Sequence, residues 1–232
     1  GQEVGFDLAG RLCRHAGCLQ LGDVHGVADK GFVDYVNDPQ KVTFPWSMID
    51  KITPQPSERV RNNLKEAGFA DAELIHAGKS DYSLFVNAER TQYLVIEDAF
   101  PNGRPPLEKK GVIFTDKDTV DKVEHMKVCT CLNPLHTTLA VYGCLLGYTL
   151  IADEMKDVQL KKLIELIGYK EGLPVVVDPE VLNPKKFIDE VIQERFSNPN
   201  VPDTPQRIAT DTSQKVPIRF GETIKAYGAK AA

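Results

Sequence analysis

Asn133-Pro134, set ahead of a proline-free run rich in Leu, Ala and Val, constrains this chain more than any other pair, because it fixes where a helix of several turns begins. Asparagine is a good N-cap, and proline suits the first helical position, where its missing N–H would have gone unbonded anyway. The pattern predicts a helix over Leu135–Asp153. Around its start, Lys127-Val-Cys-Thr-Cys-Leu-Asn-Pro-Leu-His136 gathers a lysine, an asparagine and a histidine. On the predicted helix His136 shares a face with Ala140, Gly143 and Gly147. Each interior glycine costs up to about 1 kcal/mol relative to alanine, so two on one stripe predict close approach by another backbone or a ligand. Singly, the three polar residues read as a cap, a packed imidazole and a solvated lysine; together they suggest chemistry.

A chain of 232 residues, 42% hydrophobic, can bury a real core as one large domain or two small ones. Its net charge of -5, without a lysine- or arginine-rich run, argues against a nucleic-acid partner. No apolar run reaches the roughly 18 to 20 residues of a membrane span, and the first residues lack a basic start followed by an apolar core. Five cysteines are an odd number, and Cys129, Cys131 and Cys144 lie in or beside apolar segments, as reduced, buried thiols do. A cytoplasmic location is expected. Cys13, His15, Cys18 and His25 could be read as a zinc site, but their spacing fits none of the common ligand patterns, so no metal is expected.

Residues 1–28 show neither helical nor strand period and stay unassigned. Val42-Thr43-Phe44 breaks at Pro45 and resumes at Met48-Ile49, as a strand leading into a loop would. Ser57 predicts the cap of a short helix that Gly68 ends. Tyr82–Val86 and Gln92–Ile96 are β-prone runs that read as a hairpin or as adjacent strands. Past Thr115 the chain reads as mostly helical, with short helices near Asp118–His125 and Val158–Tyr169, and another capped by Asn183 and opened by Pro184. On that last helix Ile188, Val191, Ile192 and Arg195 share a side. An inward arginine needs a protein carboxylate or an anionic or polyhydroxylated ligand, unless it snorkels to solvent or bonds the final carbonyls.

Several segments together resemble one family, the polyol-specific long-chain dehydrogenases that include mannitol 2-dehydrogenase and the fructuronate and tagaturonate reductases. Phe44-Pro45-Trp46-Ser47-Met48-Ile49-Asp50-Lys51-Ile52-Thr53-Pro54 resembles one family signature, with lysine where arginine is usual. Ile96–Phe100 with Gly103–Glu108 resembles the next. Lys127–His136, Glu194-Arg195-Phe196-Ser197-Asn198-Pro199 and Asp211–Lys215 follow in order.

The resemblance implies an α/β nucleotide-binding domain followed by a mostly helical domain of the 6-phosphogluconate dehydrogenase C-terminal type. On that reading 29–118 is the C-terminal part of the α/β domain and 119–232 a truncated substrate domain. It implies hydride transfer between NAD or NADP and a polyol or hexuronate, without metal. Carried across by position, Lys127 is the general acid/base, Asn133 hydrogen-bonds the reacting oxygen, His136 orients substrate and lysine, and Glu124 gates the proton path. Asp50, Arg195 and Lys215 contact the sugar.

The chemistry is consistent with those roles. Hydride leaving a secondary alcohol requires its proton to go elsewhere, and an enzyme lysine brought toward a pKa of about 7 to 8 can take it. A helix N-terminus beside the reacting oxygen favours the developing negative charge. Asn133 lies six positions after Lys127, where the family pattern places it five after. A bulge ahead of the helix would absorb the extra residue, whereas an insertion inside a helix would turn the lysine by about 100°. No Gly-x-Gly-x-x-Gly occurs, so no phosphate loop is present and no cofactor-binding residue is assigned. The chain alone is expected to be an inactive fragment, holding NAD(P) weakly or not at all. The alternative is a non-catalytic remnant that binds a sugar acid or a partner chain.

Overall fold

The computed structural model describes residues 30–54, 56–78 and 80–228, with backbone alone at 80 and 81. Cys13, His15, Cys18 and His25 lie outside them. The chain divides into two compact units, Gly1–Asp50 with Gln92–Val123, and Lys51–Thr91 with Glu124–Ala232.

The first unit contains α1 (Lys30–Asn37) and a three-stranded sheet of β1 (Ser47–Asp50), β4 (Tyr93–Glu97) and β5 (Ile113–Thr115), in the order β1-β4-β5. β1 runs antiparallel to β4, pairing Ser47 with Ile96 and Asp50 with Tyr93. β5 runs parallel to β4, pairing Val95 with Ile113. A parallel pair needs a long crossover, and here it is clasped by one arginine. Arg104 binds both oxygens of Asp98 at 2.8 and 3.0 Å, reaches Glu108 at 2.7 Å, and lies over the Phe114 ring. Asp98, beside that guanidinium, is held below the usual carboxylate range. The strand expected to start at Val42 is confined to Ser47–Asp50; upstream, Thr43 bonds the carbonyl of Ala99 and Trp46 N–H bonds Glu97.

In the second unit, α2 (Glu58–Glu66) starts where Ser57 accepts from Val60 N–H, and Gly68, at φ +88°, follows it, as the sequence predicts. The strand run near Tyr82 does not pair with Gln92–Ile96. Instead β2 (Leu74–Ala77) and β3 (Ser80–Ser83) form an antiparallel hairpin. Two runs of similar β-propensity are indistinguishable as partners until a turn fixes register, and the turn at Gly78, with φ +65°, selects the upstream one.

α3 (Lys117–Met126), which starts in the first unit and ends in the second, is capped by Asp116, whose Oδ1 accepts from Thr119 N–H at 2.9 Å. A π-turn over Lys127–Cys131 follows, then α4 (Asn133–Leu146). The expected continuation of α4 to Asp153 fails at Gly147, which takes φ +81°. Tyr148 N–H returns to the Gly143 carbonyl at 2.9 Å, a Schellman closure that only a residue tolerant of positive φ allows. α5 (Ile151–Glu154), α6 (Val158–Glu165), a π-turn over Leu166–Gly172, α7 (Pro184–Glu190) and a third π-turn over Val191–Arg195 follow. Asn183 caps α7 through Lys186 N–H at 2.9 Å. α8 (Pro205–Ile208), α9 (Thr212–Arg219) and α10 (Gly221–Tyr227) complete the unit. Its core includes Met126, Leu135, Leu139, Ile164, Ile188, Val191 and Ile192, all buried.

The segment 51–91, which the sequence reading groups with the α/β part, belongs here to the helical unit. Glu89 supplies the reason. Its carboxylate accepts Ile52 N–H and pairs with Arg195, while Glu89 N–H bonds the Ile52 carbonyl at 3.1 Å. Of the cysteines in this unit, Cys129 and Cys131 are buried thiols outside any disulfide, and burial pushes the Cys131 thiol up. Cys144, expected to be buried, is exposed because it lies on the outer side of the last turn of α4. No helix among the described residues is long and apolar enough to cross a membrane.

Candidate functional site

The α3, π-turn and α4 run carries four candidate residues in sequence. Glu124 is half-buried in the last turn of α3, and Lys127 opens the π-turn at 4% exposure. Asn133 opens α4, and His136 lies one turn further in. Lys127 C=O accepts from Leu132 N–H at 3.1 Å, five residues on, and Leu132 C=O accepts from His136 N–H at 2.9 Å. A π-turn is a one-residue insertion into an α-helix. The extra position between Lys127 and Asn133 is therefore absorbed inside the turn, and the helices on either side keep their register. The opened turn leaves a carbonyl to be satisfied from elsewhere, and Thr223 Oγ1 donates to Cys129 C=O at 3.2 Å.

Asn133 does not cap the helix as expected. Leu132 holds the cap position, without a side-chain hydrogen bond, because the helix that follows the π-turn begins at Asn133, one place earlier than expected. The Asn133 amide is thereby not spent on its own helix. The backbone carbonyl of Asn133 is held in place: Thr137 Oγ1 donates to it at 2.8 Å, and Arg219 Nη1 donates to Thr137 Oγ1 at 2.6 Å. Arg219 belongs to α9, the helix that also carries Lys215. Lys215 Nζ donates to the Ile208 carbonyl at 3.1 Å.

His136 sits in a built pocket. Its ring stacks on Phe196, with centroids 5.0 Å apart and planes 30° apart. Its Nε2 lies 3.2 Å from Asp203 Oδ2, and Asp203 Oδ1 accepts from Arg207 Nε at 3.1 Å and from Nη2. Burial pushes the Asp203 carboxyl up, but His136 and Arg207 outweigh it and hold the group below its ordinary range. α8 packs on α4, and this brings Asp203, just ahead of α8, against His136.

Arg195 is turned inward, as the apolar stripe predicts, and its partner is a carboxylate of the protein. Nε and Nη2 bind the two oxygens of Glu89 at 2.9 and 2.8 Å, with both side chains essentially excluded from solvent. The pair sits at the end of the third π-turn, and the next residue is the Phe196 that supports His136. Lys127, Asn133, His136, Glu124, Arg195 and Lys215 thus all lie in the second unit. Asp50, at the end of β1 and 2% exposed, lies in the first.

The sequence reading missed Glu89, Asp203, Thr137 and Arg219, which have partners distant in the chain, as well as Arg207, whose i,i+4 spacing from Asp203 was a local signal, and it missed Glu154. Glu154 is fully buried with neither carboxyl oxygen hydrogen-bonded, and burial pushes it up to about 8. It answers the question raised by the bare face of α4. A Cβ placed on Gly143 would collide with Glu154 Oε1, so Gly143 is empty to admit this carboxyl. Gly147 has a different reason to be glycine, its positive φ.

Two clefts of about 160 and 350 Å³ lie beside the π-turn, lined among others by Thr130, Thr223 and Pro134 in the first, and by His125, Glu222 and Lys225 in the second. Lys127, Asn133 and His136 do not line either. The β4–β5 connection passes through Gly103 into a 3-10 turn over Leu107–Lys110 and not into an α-helix N-terminus. The β4–β5 connection therefore offers a dinucleotide pyrophosphate no α-helix N-terminus.

Comparison with known proteins converges on one family. Residues 119–231 match the mannitol dehydrogenase C-terminal domain. The chain is 60% identical over 205 residues to a D-mannonate oxidoreductase of Thermotoga maritima, covering 87% of this chain and 38% of that protein. It is 34% identical over 228 residues to a polyol:NADP oxidoreductase of Gluconobacter oxydans, covering 94% and 44%. Its fold is similar to that of D-sorbitol dehydrogenase in substrate-free form, with TM-score 0.74, 30% identity and coverage of 89% and 39%. It is also similar to Pseudomonas fluorescens mannitol 2-dehydrogenase in ternary complex with NAD and D-mannitol, with TM-score 0.67, 29% identity and coverage of 88% and 38%. The chain thus spans less than half the length of these relatives. On these grounds the chain belongs to the mannitol dehydrogenase family, with the family's C-terminal domain over residues 119–231.

Proposed function

We propose that this chain carries the proton- and sugar-handling part of an NAD(P)-dependent polyol or hexuronate dehydrogenase of the mannonate or mannitol type. The observation that carries the reading is Lys127, buried at the mouth of a π-turn whose far side starts the helix bearing Asn133 and His136. Burial disfavours the charged form of an amine, the condition a lysine needs to accept a proton near neutral pH. In the oxidation, Lys127 Nζ takes the proton of the reacting hydroxyl; in the reduction it returns it.

Asn133, with its side-chain amide not used as a cap and its backbone carbonyl bonded by Thr137, donates through that amide to the developing alkoxide, where one lost donor costs about 100- to 1000-fold in rate. The N-terminus of α4 adds its positive dipole end. His136 orients the sugar, Glu124 gates the path of the proton, Asp50 accepts from sugar hydroxyls, and Lys215 donates to a hydroxyl or to the carboxylate. Arg195 acts on the sugar while anchored on Glu89. A bound nicotinamide supplies the hydride acceptor or donor.

Without a phosphate loop among its residues, this chain alone holds NAD(P) weakly and does not turn over. A sugar-acid- or partner-binding module without catalysis is the second reading, favoured by that same missing loop. Calorimetric titration of this chain with NAD and with mannonate separates the claims. Mannonate binding without NAD binding is expected, and micromolar NAD binding contradicts the assignment. In a longer enzyme that carries this sequence, Lys127→Ala should cut mannonate- or mannitol-dependent reduction of NAD(P) by orders of magnitude; an unchanged rate refutes the acid/base role and leaves the binding reading.

A further inference from the structure

Around His136 the side chains form a support more complete than helix packing requires. The ring stacks on Phe196, which is 3% exposed and follows directly on the locked Arg195–Glu89 pair. Asp203, 6% exposed, is fixed at every polar position it has except one. Its N–H bonds the Val201 carbonyl at 2.8 Å, its carbonyl takes Ile151 N–H at 3.0 Å, and its Oδ1 takes Arg207. The exception is Oδ2, which is buried and receives no aligned donor. A group able to give one, His136 Nε2, lies 3.2 Å away. A buried carboxylate oxygen left without a donor costs about 1 to 3 kcal/mol, more for a charged group, and a small rotation of the ring aligns this one. For the neutral ring that choice decides the tautomer, since the nitrogen facing a carboxylate carries the proton and the other keeps its lone pair.

We propose that Asp203 is a positioning residue that holds His136 in its Nε2–H tautomer, leaving Nδ1 as an acceptor for a hydroxyl of the substrate. The role of Nδ1 rests on the function proposed above; the tautomer does not. Arg207 makes the arrangement one-directional. It claims Oδ1, so Asp203 cannot turn its other oxygen to the ring without giving up that ion pair.

The test is a long-range ¹⁵N–¹H spectrum of the full chain at a pH where His136 is neutral. The expected result is a protonated Nε2 and an unprotonated Nδ1. Asp203→Asn, with its carbonyl oxygen kept on Arg207, presents an NH₂ to Nε2 and should transfer the ring proton to Nδ1; Asp203→Glu should restore the wild-type pattern. A wild-type ring protonated on Nδ1, or an Asp203→Asn spectrum unchanged at His136, overturns the proposal. If Asp203→Asn fails to fold, the wild-type spectrum decides alone. Titration with mannonate is a separate arm. A ring with the expected tautomer whose Nδ1 resonance ignores the sugar acid refutes the functional reading and leaves the positioning by Asp203 standing.

Discussion

Replacing Glu154 by glutamine should stabilise the chain at alkaline pH and do little in acid. The carboxyl is fully buried, neither oxygen is hydrogen-bonded, and burial raises it from an ordinary 4.5 to about 8. A folded-state affinity for the proton above the unfolded one means that stability is intact below pH 4.5 and is lost as pH rises toward 8. At about 1.4 kcal/mol for each tenfold difference in proton affinity, the ionised form costs about 5 kcal/mol once pH passes 8. That is comparable with the whole stability of many domains, about 5 to 15 kcal/mol. Glutamine keeps the shape and cannot ionise. Urea unfolding of both chains at pH 5 and pH 9 should therefore show the advantage of Glu154→Gln growing by about 4 kcal/mol between the two, with unchanged m-values. Parallel curves across that range would show that Glu154 is ionised in the folded protein or finds a donor, and would refute the reasoning.

Gly143→Ala should destabilise the chain, because its Cβ collides with the Glu154 carboxyl, and overpacking of this kind costs about 1 to 3 kcal/mol. The double variant Gly143→Ala with Glu154→Ala should recover much of that loss in the same unfolding assay. Glu89→Gln leaves the Arg195 guanidinium buried without its bidentate counter-charge, which costs about 3 to 5 kcal/mol. Circular dichroism melting should show a lower Tm, and a change within error would mean that Arg195 has another anion.

Local punctuation was readable from sequence wherever one residue determines one bond. Ser57 and Asn183 cap where expected, and the inward side of Ile188, Val191, Ile192 and Arg195 is buried. The helix with Asn133 and His136 near its start was legible for the same reason. Its end was not, because Gly147 reads equally as an interior residue or as a cap until its φ is known. The three π-turns left no mark on the pattern, since a one-residue insertion shifts a helical stripe without erasing it. Glu89 was invisible as the partner of Arg195, 106 positions away, and Asp203 as the partner of His136, although its i,i+4 spacing to Arg207 was legible. The hairpin was assigned to the wrong pair of runs because propensity names strands but not their neighbours.

The account stands on Lys127 as the group that moves the proton, and chemical rescue tests that most directly. In a longer enzyme carrying this sequence, Lys127→Ala should lose activity by orders of magnitude. Added primary amines should then restore hydride transfer in proportion to their concentration, with rates that follow amine basicity. A Lys127→Ala enzyme that works at the wild-type rate without amine, or one that no small amine revives although substrate and cofactor still bind, would contradict the assignment.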